Sequence, residues 1–184
     1  EMQALARAIS RGKPAITSFN SHFAFPPQSL DELYSALATL PSLESVWIGT
    51  TEPEQQDVSA LDNPEIMTEL LRAASLRSVY FHHFHFDHAL CQATANALGE
   101  GTAITSLTFT DCSFSAGECA VMMANAFSRN TSLTEIGVSE SCDETLYNAL
   151  ATALPSNSTL RDLHFQCCYE ISAEQLSSVF LALG

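Results

Sequence analysis

A run of seven residues near the middle of the chain holds its densest group of metal-ligating side chains. His82, His83, His85, Asp87 and His88 lie within the segment HHFHFDH, and imidazole and carboxylate groups are ligands that zinc prefers. A structural zinc site needs about four ligands that converge on one point. Strand alternation predicts instead that His83 and His85 lie on the opposite side from His82. The spacing therefore favours exposed loop histidines over a metal site, and we expect no cofactor.

Nucleophilic catalysis is the second chemistry to consider. Ser106, Asp162 and His164 are all predicted on one face of a sheet, but two strands separate the serine from the histidine. A catalytic triad requires hydrogen-bond distances between its members. The chain also has no G-x-S-x-G, phosphate-loop or H-E-x-x-H motif. The sequence therefore predicts a protein that is not an enzyme.

The chain is strongly acidic, with 7 Lys and Arg against 21 Asp and Glu and a formal net charge of -14. This charge repels a phosphate backbone or an anionic lipid surface, so neither nucleic acid nor membrane is an expected partner. An acidic field favours a basic protein partner, although solubility is the simpler reason for the charge.

The cysteines and the hydropathy pattern indicate a cytoplasmic protein. Cys167 and Cys168 are adjacent and no C-x-x-C occurs, so the six cysteines lack the paired spacing of metal ligands. Reduced, structural thiols are typical of the cytosol. No apolar run approaches the length of a membrane span, and the N-terminus lacks a signal-peptide pattern.

The elements that must position these side chains recur along the chain. Similar segments begin near residues 16, 43, 76, 104, 133 and 160, roughly 27 to 33 residues apart, which is a spacing typical of repeat proteins. Apolar residues three and five places after most of these starts predict short strands with one buried face. The predicted buried residues are Val46, Ile48, Val79, Phe81, Leu107, Phe109, Ile136, Val138, Leu163 and Phe165, with Phe84 and Phe86 beyond the third strand.

A polar stretch and then an alanine-rich segment with helical spacing follow the strands. Capping boxes, in which a hydroxyl and a carboxylate or amide satisfy the first backbone donors of a helix, predict the helix starts. They pair Ser29 with Glu32, Ser115 with Glu118, Ser141 with Glu144, and Ser172 with Gln175. In the second repeat, Asn63 followed by Pro64 predicts a helix with proline at its first position. Such strand and helix units bury their apolar faces only against neighbouring repeats.

The run ITSLTFTDCSFSAGECAVMMANAFSRNTSL, residues 104–133, closely resembles the ribonuclease-inhibitor-like leucine-rich repeat. This subfamily is familiar from ribonuclease inhibitor and from the sensor regions of NOD-like receptors, and the resemblance covers nearly the whole chain from Ile16. Cys112 and Cys168 match a position where the family often has Asn or Cys, whereas Phe84 and Ser141 depart from it. The resemblance implies an α/β leucine-rich-repeat solenoid, a horseshoe of about six repeats with parallel strands on the concave face and helices on the convex face.

We expect residues 1–184 to form a single leucine-rich-repeat domain, in which residues 1–15 are the helix of a preceding repeat. Neither end has the polar surface of a dedicated cap, which solenoids need for solubility. The sequence therefore predicts a fragment of a longer solenoid that self-associates through its ends.

Side chains between the buried strand positions are expected on the concave face. Trp47 and Tyr80 hold the same position in consecutive repeats, so they form either an exposed binding anchor or a pair that only covers the sheet. Glu135 and Asp162 form an acidic column suited to Lys or Arg, or else a solvated pair. The candidate partner-binding residues are Trp47, Tyr80, His82, Thr108, Thr110, Glu135, Asp162 and His164.

Three further segments have alternative interpretations. Asn130-Thr-Ser and Asn157-Ser-Thr match the glycosylation acceptor, but both lie three residues before a repeat start, which favours a structural turn. The acidic excursion from Thr50 to Asp62 is either a contact loop or disordered.

We therefore expect a protein recognition module that binds a partner through the concave face. The alternative is a structural or regulatory segment of a larger receptor, pathogen effector or GTPase regulator whose activity lies outside this chain. The fold by itself does not decide between them, because it serves many partners.

Overall fold

The structure is a computed structural model, and it describes residues 2–12, 15–20, 27–49, 61, 63–115, 117–139, 144–166 and 172–182. Helices and strands alternate along most of these residues. Their bounds are α1 Met2–Gly12, β1 Ser18–Asn20, α2 Pro27–Ala38, β2 Ser45–Gly49, α3 Glu65–Leu71, β3 Ser78–His82, β4 His85–Phe86, α4 His88–Gly99, β5 Ser106–Thr110, β6 Ser113–Phe114, α5 Glu118–Arg129, β7 Glu135–Ser139, α6 Glu144–Ala153, β8 Asp162–Gln166 and α7 Ala173–Ala182.

One six-stranded sheet organises the molecule, with the strand order β1-β2-β3-β5-β7-β8. Every neighbouring pair is parallel, and equivalent residues of successive repeats lie side by side. For example, Trp47 of β2 pairs with Tyr80 of β3, which pairs with Thr108 of β5. The predicted α/β class and the six parallel strands are thereby confirmed.

The core lies on one side of this sheet, where apolar strand residues meet the helices. Val79, Phe81, Leu107 and Phe109 are fully buried, as the alternation predicts. The sheet contributes these alternating residues, and the helices contribute leucine and alanine faces to the same cluster. On β8, by contrast, both predicted core residues are only half-buried. Among the strands that the structure describes, β8 is at the edge of the sheet, so none of them covers these two residues from the outer side.

A second, two-stranded sheet was not predicted from the sequence. It pairs β4 with β6 in parallel, directly after β3 and β5. The chain reaches it through His83 and Asp111, which both take a φ of 51°, a left-handed conformation that few residues other than glycine adopt. Phe86 and Phe114, one from each short strand, stack with ring centroids 4.7 Å apart. Both phenylalanines predicted beyond the third strand, at positions 84 and 86, are buried.

Two asparagines tie successive repeats together just before the strands. The Asn130 side chain is buried, donates to the Leu98 carbonyl at 2.7 Å and accepts from the Leu133 N–H at 2.7 Å. Asn157 repeats this pattern one unit later, donating to the Phe127 carbonyl at 2.6 Å and accepting from the Leu160 N–H at 2.8 Å. The structural interpretation of both Asn-containing turns is confirmed, because each amide satisfies backbone groups of two repeats.

The helix starts agree less well with the sequence prediction than the strands do. Helix α3 begins after Pro64, and the Asn63 side chain accepts from the Glu65 N–H at 3.1 Å, close to the prediction. At α5 the prediction of a box between Ser115 and Glu118 is wrong, because Gly117, with a φ of 84°, occupies the N-cap position and no side chain caps the helix. The boxes that involve Ser29, Ser141 and Gln175 lie outside the described side chains.

The side chains of Cys91, Cys112 and Cys119 are buried, and Cys112 Sγ lies 3.5 Å from the Phe81 carbonyl oxygen. Cys142, Cys167, Cys168 and the excursion from Thr50 to Asp62, except for the buried Leu61, lie outside the described residues. Among the helices that are described, none has the length and apolar character that crossing a lipid bilayer requires.

Candidate functional site

The side of the sheet opposite the core carries three rows of side chains, and we call it the open face. Its residues are Ser18, Asn20, Ser45, Trp47, Gly49, Ser78, Tyr80, His82, Ser106, Thr108, Thr110, Glu135, Gly137, Ser139, Asp162, His164 and Gln166. Each row follows the strand register, so neighbours in a row belong to adjacent strands, whose backbones lie about 4.7 to 4.9 Å apart. All eight predicted partner-binding residues belong to this face.

An aromatic group stands at the β2 and β3 end of the open face. The rings of Trp47 and Tyr80 lie 6.3 Å apart between centroids and are tilted by 36°, within the range of favourable aromatic pairs. Tyr80 is 38% exposed, one of the more exposed large apolar side chains among the described residues. The His82 ring meets Trp47 edge-on at 5.6 Å. Three of the predicted residues therefore form one contiguous group.

Gly49 makes the packing of this group possible. A Cβ atom at position 49 would lie 2.8 Å from the His82 carbonyl oxygen and 3.4 Å from Trp47 Nε1. The first distance is shorter than a van der Waals contact, so a side chain there would push β2 and β3 apart. A glycine inside a strand is itself a signal of such close approach.

The opposite end of the face is polar and acidic. Glu135 pairs in register with Asp162, which confirms that the two acidic residues are neighbours. Glu135 Oε1 also lies 3.5 Å from His164 Nε2. Thr110 and Ser139 join through their hydroxyls at 2.7 Å. This end can accept hydrogen bonds from a cationic or amide group, and it is chemically distinct from the aromatic end.

The histidine segment does not converge on one point. His83 Nδ1 lies 2.5 Å from Asp111 Oδ2, His85 Nδ1 lies 2.8 Å from Ser113 Oγ, and His88 Nδ1 lies 3.4 Å from Glu118 Oε2. Asp87 is the N-cap of α4, where its Oδ1 accepts from the Leu90 N–H at 2.8 Å. Within the described part of the chain, no three His, Cys, Asp or Glu side chains are grouped as ligands of a metal ion.

The predicted side of His83 is wrong. The rings of His82 and His83 lie only 4.0 Å apart between centroids, so the two side chains do not lie on opposite sides of the strand. Strand alternation ends at His82, because the left-handed backbone of His83 turns its side chain back toward its neighbour. His83 thereby connects the aromatic group to Asp111, a residue that the sequence analysis did not consider.

The separation of Ser106 from His164 is smaller than predicted. One strand, β7, lies between β5 and β8, and Ser106 is in register with Asp162 rather than His164. The two residues are therefore separated by two strand spacings, about 10 Å across the sheet, and also by two residues along the strand. This distance still exceeds hydrogen-bond reach.

Comparison with known proteins gives a fold relationship and no family. No family model matches the chain, and no curated protein matches it. A solved structure titled "Leiomodin-1 Actin-Binding Site 2 (ABS2)" is similar at a TM-score of 0.50 and 19% sequence identity, over 97% of this chain and 84% of the other. At this identity the likeness concerns the fold alone. The chain therefore has a leucine-rich-repeat-like α/β fold.

Proposed function

We propose that this chain is a protein recognition module that binds its partner through the open face of the sheet. The observation that carries the proposal is the Trp47–Tyr80 pair, which stands on a regular parallel sheet with Tyr80 exposed. Tyrosine and tryptophan are enriched among the residues that dominate binding energy. A side chain held by a rigid sheet also loses little conformational entropy when a partner binds.

The similar solved structure supports a protein partner in general terms. Its title names an actin-binding site, so a chain of this fold engages a protein. A shared fold does not transfer a partner, and actin is therefore only the first candidate to assay.

We take the chain to be one domain of the ribonuclease-inhibitor-like subfamily, curved so that the open face is concave, without enzymatic activity, and located in the cytoplasm. The repeated Asn130 and Asn157 bridges and the buried thiols support this description.

The test compares the wild-type chain with a variant carrying Trp47→Ala and Tyr80→Ala. Both are used as bait, and each protein retained by the wild type is then titrated against both chains. We expect the double substitution to cost at least about 1 to 2 kcal/mol of binding free energy with little change in melting temperature, because neither ring is part of the buried core.

Phe180→Ala is the matched control, because Phe180 is an exposed aromatic residue of α7, away from the open face. It should leave affinity unchanged. Equal affinity of the wild type and the double variant for every captured protein would contradict the proposal and direct attention to the helix side.

A further inference from the structure

A depression of about 170 Å³ lies on the open face, away from the aromatic group. It lies beside Gly137 of β7, in the space between the register partners of this glycine, Thr108 of β5 and His164 of β8. Thr108 leans toward this space, since a Cβ at position 137 would lie 3.1 Å from its Oγ1. The polar residues around it are Thr108, Glu135, Ser139, His164 and Gln166.

The chemistry of these walls selects for a cationic hydrogen-bond donor. Glu135 is the carboxylate among the lining residues, and the threonine, serine and glutamine oxygens are further acceptors. No lysine or arginine belongs to the described residues of the open face. Apart from the His164 imidazole, no side chain of the lining could compensate the charge of a guest anion beside Glu135, whereas a guest cation would find several acceptors.

Glu135 is accessible to such a guest. Its side chain is 44% exposed, and that of His164 is 64% exposed. The 3.5 Å contact between Glu135 and His164 is longer than a normal hydrogen bond. The carboxylate can therefore accept two N–H donors from a planar group that enters from solvent.

We infer that the depression over Gly137 receives an arginine side chain of the protein that binds the open face. The inference rests on the proposed function and names the chemistry of one contact. Arginine fits better than lysine because its forked guanidinium donates to both oxygens of a carboxylate and has further N–H groups for the hydroxyls. The acidic net charge of the chain adds a long-range attraction for a basic partner.

The test uses acetyl-arginine-amide and acetyl-lysine-amide as probes, so that it does not depend on finding the partner. Each is titrated into the ¹⁵N-labelled chain while amide resonances are followed. We expect saturable shifts centred on Gly137, Thr108 and Ser139, with tighter binding of the arginine probe. Glu135→Gln should weaken arginine binding about tenfold, a loss of about 1.4 kcal/mol, and reduce the preference for arginine over lysine.

Glu69→Gln is the matched control, because it removes the same charge from an exposed position on α3. It should leave the affinity for the arginine probe unchanged. Gly137→Ala is the steric variant and should weaken both probes, with its melting temperature measured to show that the sheet is retained. Equal weakening by both glutamate substitutions, or shifts centred elsewhere, would overturn the inference.

The two proposals fail separately. If the probe binds at Gly137 and the partner's affinity is unchanged by the Trp47 and Tyr80 substitutions, only the aromatic anchor is contradicted. A partner that needs both aromatic residues but is unaffected by Glu135→Gln, combined with no probe binding, would contradict only the arginine site.

Discussion

At the residue scale, the buried side-chain amide of Asn130 connects two successive repeats. The Asn130 side chain donates to the Leu98 carbonyl of the preceding repeat and accepts the N–H groups of Ser132 and Leu133 in its own. The Leu98 carbonyl and the Leu133 N–H would otherwise lie buried without these partners, and each such unsatisfied group costs about 1 to 3 kcal/mol. Asn130 therefore fixes one repeat against the next.

Asn130→Ala should lower the free energy of unfolding by about 2 to 4 kcal/mol, since it leaves more than one buried backbone group unsatisfied. Asn157→Ala should cost less, because Asn157 is only half-buried and water can reach the groups that it satisfies. Urea unfolding of the two variants measures the difference. A cost below about 0.5 kcal/mol for Asn130→Ala would contradict the role assigned to it.

At the scale of single elements, the capping of helices differs between repeats. Asp87 caps α4 through the Leu90 N–H at 2.8 Å, whereas α5 starts at Gly117 without a side-chain cap. A carboxylate at an N-cap also interacts favourably with the positive end of the helix dipole.

Asp87→Ala should therefore lower the free energy of unfolding by about 1 kcal/mol. Ser115→Ala is a suitable comparison, since this serine does not cap its helix, and it should change stability by less than about 0.5 kcal/mol. Chemical denaturation of both variants decides the point. A larger loss for the serine variant would show that the helix starts are assigned to the wrong residues.

The burial of the core-facing residues also differs between central and edge strands of the sheet. Leu107 of β5 is fully buried, while Leu163, the equivalent residue of β8, is only half-buried at the edge. A leucine deletion costs stability through lost burial and through the cavity that it leaves, and an exposed edge reduces both terms.

Leu107→Ala should lower the free energy of unfolding by about 2 to 5 kcal/mol, whereas Leu163→Ala should cost about half as much or less because less apolar area is lost. Thermal and urea unfolding of the two variants provide the comparison. Equal costs would indicate that β8 is covered as completely as the central strands.

At the scale of the whole molecule, the charge is far from balanced. A formal net charge of -14 on 184 residues means that like charges predominate in this chain, and their mutual repulsion opposes the folded state. Salt screens this repulsion, since the Debye length falls from about 30 Å at 0.01 M to about 8 Å at 0.15 M.

Raising sodium chloride from about 0.01 M to about 0.15 M should therefore raise the melting temperature by a few degrees. Differential scanning calorimetry at fixed pH provides the measurement, with sucrose at matched osmolality as a control for effects that do not depend on charge. A melting temperature that falls as salt is added would mean that attractive ion pairs outweigh the net repulsion.

Local pattern in the sequence determined the strands of the six-stranded sheet and which of their side chains face the core. Two-residue alternation assigns Val79 and Phe81 to the core and Tyr80 to the open face, because a strand that slips by one residue would expose every apolar side chain. The repeat spacing likewise predicted that Trp47 and Tyr80 are neighbours and that Asn130 and Asn157 are structural.

Tertiary structure alone decided how side chains from different repeats meet. The β4–β6 sheet, the pairing of His83 with Asp111, and the depression over Gly137 each combine residues about 28 positions apart. Alternation ends where the backbone turns left-handed at His83, so the pattern could not place that ring. A glycine in a strand likewise indicates only a missing side chain, and the flanking strands determine whether that space is filled or open.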